Sequence, residues 1–185
     1  DDTYLIGDTG PAGGYVFYDK GSFSDGWRYL EAAPAGWYGE GEDPGLIFGY
    51  HRPGGETGSV LVGTQTEIGT GWANTEALVS AQGDAAYLYD LGSTVTTEYA
   101  AKICYDYFNN SAGIVYDDWF LPSKDELYYM YLNLKTQGLG DFVEKNYWSS
   151  SEYGAISTWG TYFSTGGQIS GANQFGYKVR PVRAF

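Results

Sequence analysis

Apolar residues recur at helical spacing in the middle of the chain. Between Thr97 and Phe108 they fall at i, i+3, i+4, i+7 and i+8, which predicts a helix with one buried face made of Ala100, Ile103, Cys104, Tyr107 and Phe108. The chain has a single cysteine, so Cys104 cannot form an intrachain disulfide, and its place in this stripe favours a small buried hydrophobe.

A second helix is predicted directly after Pro122. Ser123 and Glu126 have the spacing of a capping box, in which each side chain satisfies a backbone N–H at the start of a helix. The apolar stripe that follows is Leu127, Met130, Tyr131 and Leu134, and Gly138 is a natural residue to end it. A shorter helix is predicted from an N-cap at Asn74 through Gln82, stopped by Gly83.

Strand patterns lie at the two ends of the chain. Near the start, residues 13–18 and 27–31 are predicted strands. Near the end, predicted strands cover 147–152, 158–164 and 177–182, with a turn at Gly166-Gly167. Pro181 cannot donate to a ladder, so the final strand should lie at an edge or carry a bulge. Strands followed by helices and then a run of strands indicate the α+β class.

The period of two in Thr158–Ser164 predicts which side chains of this strand are buried. Trp159, Thr161 and Phe163 lie on one face of such a strand, with Gly160 and Tyr162 on the other. We therefore expect Trp159 and Phe163 in the core, and Gly160 and Tyr162 exposed.

Length and charge restrict the class of protein. A chain of 185 residues fits one domain, which we place at 1–185, and its apolar runs are too short to span a membrane. A formal net charge of -13 disfavours nucleic acid as a partner. The 19 Tyr and 28 Gly are typical of recognition surfaces, although β-rich exported proteins are also rich in both.

The residues offer little for catalysis or metal binding. The one histidine, His51, lies in a His-Arg-Pro-Gly-Gly loop, and nucleophile-elbow and phosphate-binding motifs are absent from the sequence. We expect no enzyme and no required cofactor. The acidic loop Glu40–Asp43 could ligate calcium, but in so acidic a chain a solvated loop is the favoured interpretation. Asp117-Asp118 is expected to brace the neighbouring segment, and Arg180 and Arg183 to pair with carboxylates or carbonyls of the fold.

Several long segments resemble one known family. The central segment is Asp117-Asp118-Trp119-Phe120-Leu121-Pro122-Ser123-Lys124-Asp125-Glu126-Leu127, and the closing ones are Tyr147-Trp148-Ser149-Ser150-Ser151-Glu152-Tyr153 and Val179-Arg180-Pro181-Val182-Arg183-Ala184-Phe185. Similar segments open the chain at 7–14, 18–21 and 27–34, and recur at 68–71 and 73–75. Together they are similar to the Lcl-type C-terminal domain family, named from a bacterial collagen-like adhesin. Residues 37–57 resemble an insertion relative to that pattern.

The resemblance implies a C-type-lectin-like fold in which the first and last strands pair and the terminal strands contact the ligand. It implies a bacterial or phage-encoded protein that lies at the cell surface, outside the cytoplasm. Lipoproteins are among the relatives. Some relatives are variable proteins of diversity-generating retroelements, whose tails are diversified at Asn codons. Gln174 departs from that pattern. The candidate ligand contacts that the resemblance implies are Tyr153, Gly154, Ile156, Ser157, Gly160, Tyr162, Thr165, Ile169, Ser170, Phe175 and Tyr177, and Gly167, Gly171 and Ala172 are further diversified positions.

Three functions remain open from the sequence. The first is a receptor or adhesin domain that binds a protein ligand through the tail at 153–177. The second is a glycan-binding lectin of the same fold, and the third is a structural surface-lipoprotein module. A lipid anchor, if the protein has one, would precede Asp1.

Overall fold

The fold was analysed in a computed structural model that describes residues 3–49, 61–84, 86–87 and 95–185. His51 and positions 50–57 of the predicted insertion lie outside these residues. The helices of the described part are α1 (Gly71–Gln82), α2 (Ala100–Asp106) and α3 (Lys124–Asn133), the last followed by a 3-10 turn at Lys135–Gln137. None of them is long and apolar enough to cross a membrane.

The strands form two larger sheets and two small hairpins. The strands of the larger sheets are β1 (Tyr15–Ser24), β2 (Trp27–Ala32), β3 (Gly45–Leu46), β8 (Asn146–Gly154), β9 (Ser157–Tyr162), β10 (Gly167–Ala172), β11 (Tyr177–Lys178) and β12 (Val182–Ala184). The first sheet has the order β1-β2-β12 and the second the order β10-β9-β8-β11-β3. The hairpins are β4 (Ala86–Tyr87) with β5 (Val95–Thr96), and β6 (Asn109–Ser111) with β7 (Ile114–Tyr116). The α+β class is confirmed.

The two ends of the chain share the first sheet, although the pairing differs from the one predicted. The last strand, β12, pairs antiparallel with β2, and β1 pairs with the other edge of β2. The predicted strand over 177–182 is split into β11 and β12, with Pro181 between them. Proline lacks an N–H and interrupts the ladder there, so β11 belongs to the second sheet and β12 lies at an edge of the first.

Helix α3 begins as the sequence predicts. The Ser123 backbone N–H donates to Glu126 Oε2 at 2.7 Å, and the Glu126 N–H donates to Ser123 Oγ at 3.3 Å. Leu127, Met130 and Leu134 are buried, as expected for its apolar stripe.

The other two helices differ from prediction. Helix α1 begins at Gly71, and its N-cap residue is Thr70, four residues before the N-cap predicted at Asn74. Asn74 is buried inside α1, where its amide exchanges hydrogen bonds with the Gln65 backbone and donates to Ser150 Oγ. Helix α2 is shorter than predicted; Cys104 is buried in it, but Phe108 lies beyond its end and is 66% exposed.

The core lies on both faces of β8. Adjacent residues of a strand point to opposite faces, and Tyr147 packs with Leu127, Met130 and Phe163 beside α3. Trp148 instead packs with Leu78 and Cys104 beside α1 and α2, in a separate apolar cluster. At this point the second sheet therefore lies between α3 on one face and α1 and α2 on the other. The end of the sheet that carries the β8–β9 turn lies outside these helices.

Candidate functional site

The tail that carries the predicted contacts is a regular antiparallel sheet. Strands β9 and β10 pair without a register shift from Ser157 with Ala172 to Tyr162 with Gly167. Strand β8 pairs with β9, with irregular register between Trp148 and Gly154. This ladder fixes the position of the turn at 155–156 relative to the rest of the tail.

Three predicted contacts lie at the distal end of the sheet. We call this set, Tyr153, Ile156 and Phe175, the distal surface; its side chains are 60%, 55% and 48% exposed. The buried Asn173 joins the two loops that carry it. Its backbone N–H donates to Ile156 O at 3.1 Å, and its side-chain Oδ1 accepts from Thr158 Oγ1 at 2.9 Å. Large apolar side chains are therefore held in solvent on tethered backbone.

The opposite end of β9 carries a second group of predicted contacts. Tyr162 is 38% exposed, and Thr165 and Gly167 are exposed in the turn that follows. At about 3.3 Å per residue, five steps of β9 separate Ser157 from Tyr162 by roughly 17 Å. One protein ligand could contact both groups, whereas a small molecule could contact only one.

The prediction that Gly160 is exposed is wrong. Gly160 is buried, and a Cβ built there would lie 2.6 Å from the backbone oxygen of Tyr147. A backbone atom in a paired strand cannot move aside easily, so the position has no room for a varied side chain or a ligand contact. Gly171 is also buried, and a Cβ there would lie 2.6 Å from the Tyr177 ring.

The remaining predicted contacts differ in their exposure to solvent. Ser170 is exposed, whereas Gly154, Ser157, Ile169 and Tyr177 are half-buried. The Tyr177 ring packs on Trp148 with centroids 4.1 Å apart, and burial raises the pKa of its hydroxyl. Tyr177 is thus partly a core residue, and its loss would disturb the sheet.

Trp159 is more exposed than the sequence pattern predicts. Phe163 is fully buried as predicted, but Trp159 is only half-buried. Its ring meets Tyr153 edge-on at 4.8 Å, and Lys124 Nζ lies 4.5 Å from its centroid. A period of two shows which face of the strand a side chain lies on, but not how far along that face the core extends. It therefore could not show that Trp159 lies beyond the edge of the core.

Glu152 anchors a further segment beside the distal surface. Its carboxylate accepts from the backbone N–H groups of Val62, Gly63 and Thr64 at 2.8 to 3.2 Å. Thr64 Oγ1 in turn accepts from the Glu152 N–H at 2.7 Å. The only signal in the sequence is the position of Glu152 in the closing motif, because its partners are backbone groups 88 to 90 residues away.

A buried polar cluster holds the closing segment, residues 179–185, in place. Arg180 Nε donates to Asp43 Oδ1 at 2.7 Å, and its other nitrogens donate to the carbonyls of Ala33 and Gly140. The Tyr147 hydroxyl donates to Asp43 Oδ2 at 2.7 Å, and burial raises its pKa. The predicted structural role of Arg180 is confirmed.

The predicted role of Arg183 is also confirmed. Its guanidinium makes two hydrogen bonds to Asp118, at 2.7 and 2.8 Å, and lies 3.7 Å from Glu31 Oε1. Asp118 therefore braces the closing segment, whereas the sequence predicted that Asp117-Asp118 would brace the segment beside it.

The candidate calcium loop is largely engaged by the protein itself. Asp43 is turned inward to Arg180, and Glu42 lies 3.2 Å from Lys178 Nζ. Among the described residues no three His, Cys, Asp or Glu side chains are grouped closely enough to hold a metal ion.

Comparison with known proteins adds no assignment. No protein-family description and no curated protein matches this chain.

Proposed function

We propose that this chain is a non-catalytic ligand-binding domain of a bacterial or phage-encoded surface protein, with a C-type-lectin-like fold, and that it binds a protein through the distal surface. The observation that carries the proposal is the exposure of Tyr153, Ile156 and Phe175 on backbone held by the buried Asn173. Large apolar side chains that stay about half exposed in the folded state, on a frame that needs no reordering, are suited to anchor a protein interface.

The exposed group at Tyr162 and Thr165 supports a ligand of protein size. A standard interface buries about 800 Å² on each partner, which is enough to reach both ends of β9. The half-buried Ile169, which pairs with Gly160, lies on the same face of the sheet as Tyr162 and would add to that contact.

The resemblance to variable proteins of diversity-generating retroelements adds a specific proposal about sequence variation. Variation should concentrate at the exposed positions of the tail, Ile156, Thr165, Ser170 and Phe175, and should be absent at Gly160. Sequencing the DNA beside the gene tests this. A reverse-transcriptase gene and a near-copy of the codons for 147–185 are expected, and their absence would remove diversification from the proposal.

A second candidate is glycan binding. The exposed Tyr153 ring, set edge-on to Trp159, with the ammonium of Lys124 over the Trp159 ring, offers a face on which a sugar could stack. Both candidates are tested by applying the labelled domain to arrays of purified bacterial surface proteins and of glycans, in calcium and in chelator. Saturable binding to a protein is the expected result. Binding only to glycans would favour the second candidate, and binding to neither would favour a structural module.

A further inference from the structure

A cleft lies away from the tail, between the β1–β2 turn and the start of α1. Its volume is about 350 Å³, within the range of roughly 300–1,000 Å³ typical of small-ligand sites. Aromatic rings of Trp27, Trp72 and Phe120 line it, and it continues past Trp72 into a smaller recess beside Asp118.

The aromatic walls are set by the backbone around Gly69 and Gly71. A Cβ at Gly69 would lie 3.2 Å from the Trp27 ring, and one at Gly71 would lie 2.7 Å from the Phe120 ring. Trp72 stands edge-on to Phe120 with centroids 6.1 Å apart and stays 37% exposed. The two glycines therefore let three rings approach one another around a space that remains open.

The charge on the cleft wall is negative. Asp25 lies at its rim and the buried Glu126 in its wall, and none of the described residues that line it is basic. Glu126 accepts hydrogen bonds from the backbone N–H groups of Gly69, Gly71 and Ser123, but burial raises its pKa, so the exposed Asp25 supplies most of the negative charge. Asp118, in the recess, is already paired with Arg183.

Trp27 already contacts an ammonium group at the rim. Lys20 Nζ lies 3.9 Å from the Trp27 ring centroid and 3.8 Å from Asp25 Oδ2. The face of an indole ring attracts cations electrostatically, and more strongly when they are partly desolvated. Trp72, which is 37% exposed, presents a second indole ring inside the cleft.

We infer that this cleft binds an alkylammonium group, through the Trp27 and Trp72 rings and the carboxylate of Asp25 at its rim. An amine of a few carbons fits the space, and a group with so few atoms should bind with a dissociation constant on the order of millimolar. The site is independent of the distal surface, so either assignment can fail without the other.

NMR titration of the tryptophan indole N–H signals tests the inference. Butylammonium and a Gly-Gly-Lys-Gly-Gly peptide should both shift the Trp27 and Trp72 signals saturably, while neutral butanol should not, and the Trp159 signal of the tail should stay in place. Tighter binding of the peptide would identify a polypeptide lysine as the source, and equal binding a small amine. Equal shifts with butanol, or no saturable shift, would overturn the inference.

Variants locate the site. Asp25→Asn keeps a residue that tolerates the positive φ of 52° at this turn and should weaken butylammonium binding roughly threefold. Asp84→Asn is the matched control, because Asp84 is an exposed carboxylate that also lies 3.8 Å from a lysine but does not line the cleft. Trp72→Leu should weaken binding at least about threefold, since it removes the ring but keeps apolar bulk. Binding unchanged by both Asp25→Asn and Trp72→Leu would place the amine elsewhere.

Discussion

The buried carboxylate of Glu126 should make the stability of this protein fall as pH rises. Burial raises its pKa from the 4.5 of an exposed glutamate to about 7, despite the backbone N–H groups that bond to it. Between these two values the folded state holds a proton that the unfolded state has released. The free energy of unfolding therefore includes a favourable contribution below pH 4.5, which is lost as the pH rises through 7.

The size of this contribution follows from the shift. The values 4.5 and 7 differ by 2.5 pKa units, and at about 1.36 kcal/mol each this gives on the order of 3 kcal/mol as an upper value. Glu31 adds a change in the same direction, because burial also raises its pKa to about 7. Arg183 at 3.7 Å opposes that shift by favouring the charged form.

Urea unfolding followed by tryptophan fluorescence at pH 5, 6, 7 and 8 measures the effect. Glu126→Gln keeps an acceptor for the Ser123 N–H but cannot titrate, so it should lower stability at every pH and flatten the decline. Glu76→Gln is the control, because it removes an equal charge from an exposed position of α1 and should leave the decline unchanged. Parallel curves for the wild type and Glu126→Gln would refute the reasoning, as would a wild type more stable at pH 8 than at pH 5.

Two further predictions concern the tail. Gly160→Ala should destabilise the fold by about 1–3 kcal/mol because its Cβ would meet the Tyr147 carbonyl, whereas Gly154→Ala, whose Cβ lies 3.6 Å from Ser157 Oγ, should be nearly neutral; equal urea midpoints would contradict the buried register. Glu152→Ala should release residues 62–64 from the sheet. Amide hydrogen exchange there should accelerate while exchange in β9 stays slow, and unchanged protection of residues 62–64 would show that Glu152 does not hold them.

Sequence patterns predicted the structure best where the interacting residues are close together in the chain. The capping box of Ser123 and Glu126 contains both partners within four residues, so α3 begins where predicted. The start of α1 was missed because Thr70 caps it without a side-chain hydrogen bond, and Asn74, which has the right residue type, uses its amide in tertiary contacts.

The candidate site was predicted only in part, because burial depends on packing from distant segments. Gly160 and Tyr162 share a strand face, yet the first is closed off by the Tyr147 backbone and the second is open to solvent. Glu152 bonds to backbone groups 88 to 90 residues away, and Arg180, which pairs with Asp43, lies 137 residues from it. No periodicity within one strand reports such contacts.

Binding by the distal surface is the central claim, and a triple variant tests it most directly. Tyr153→Ala, Ile156→Ala and Phe175→Ala together remove the exposed anchors but spare Tyr177, whose ring packs on Trp148. The control replaces Phe23, Phe108 and Ile114, equally exposed residues elsewhere in the fold, with alanine. Both variants and the wild type are titrated against the surface protein that the wild type binds on the array, and their thermal melts are recorded.

We expect the distal variant to lose at least about 2 kcal/mol of binding free energy, roughly thirtyfold in Kd, with a melting temperature close to that of the wild type. The control variant should bind as the wild type does. A distal variant that binds with unchanged Kd would contradict the account, and so would a control variant that loses binding to the same extent.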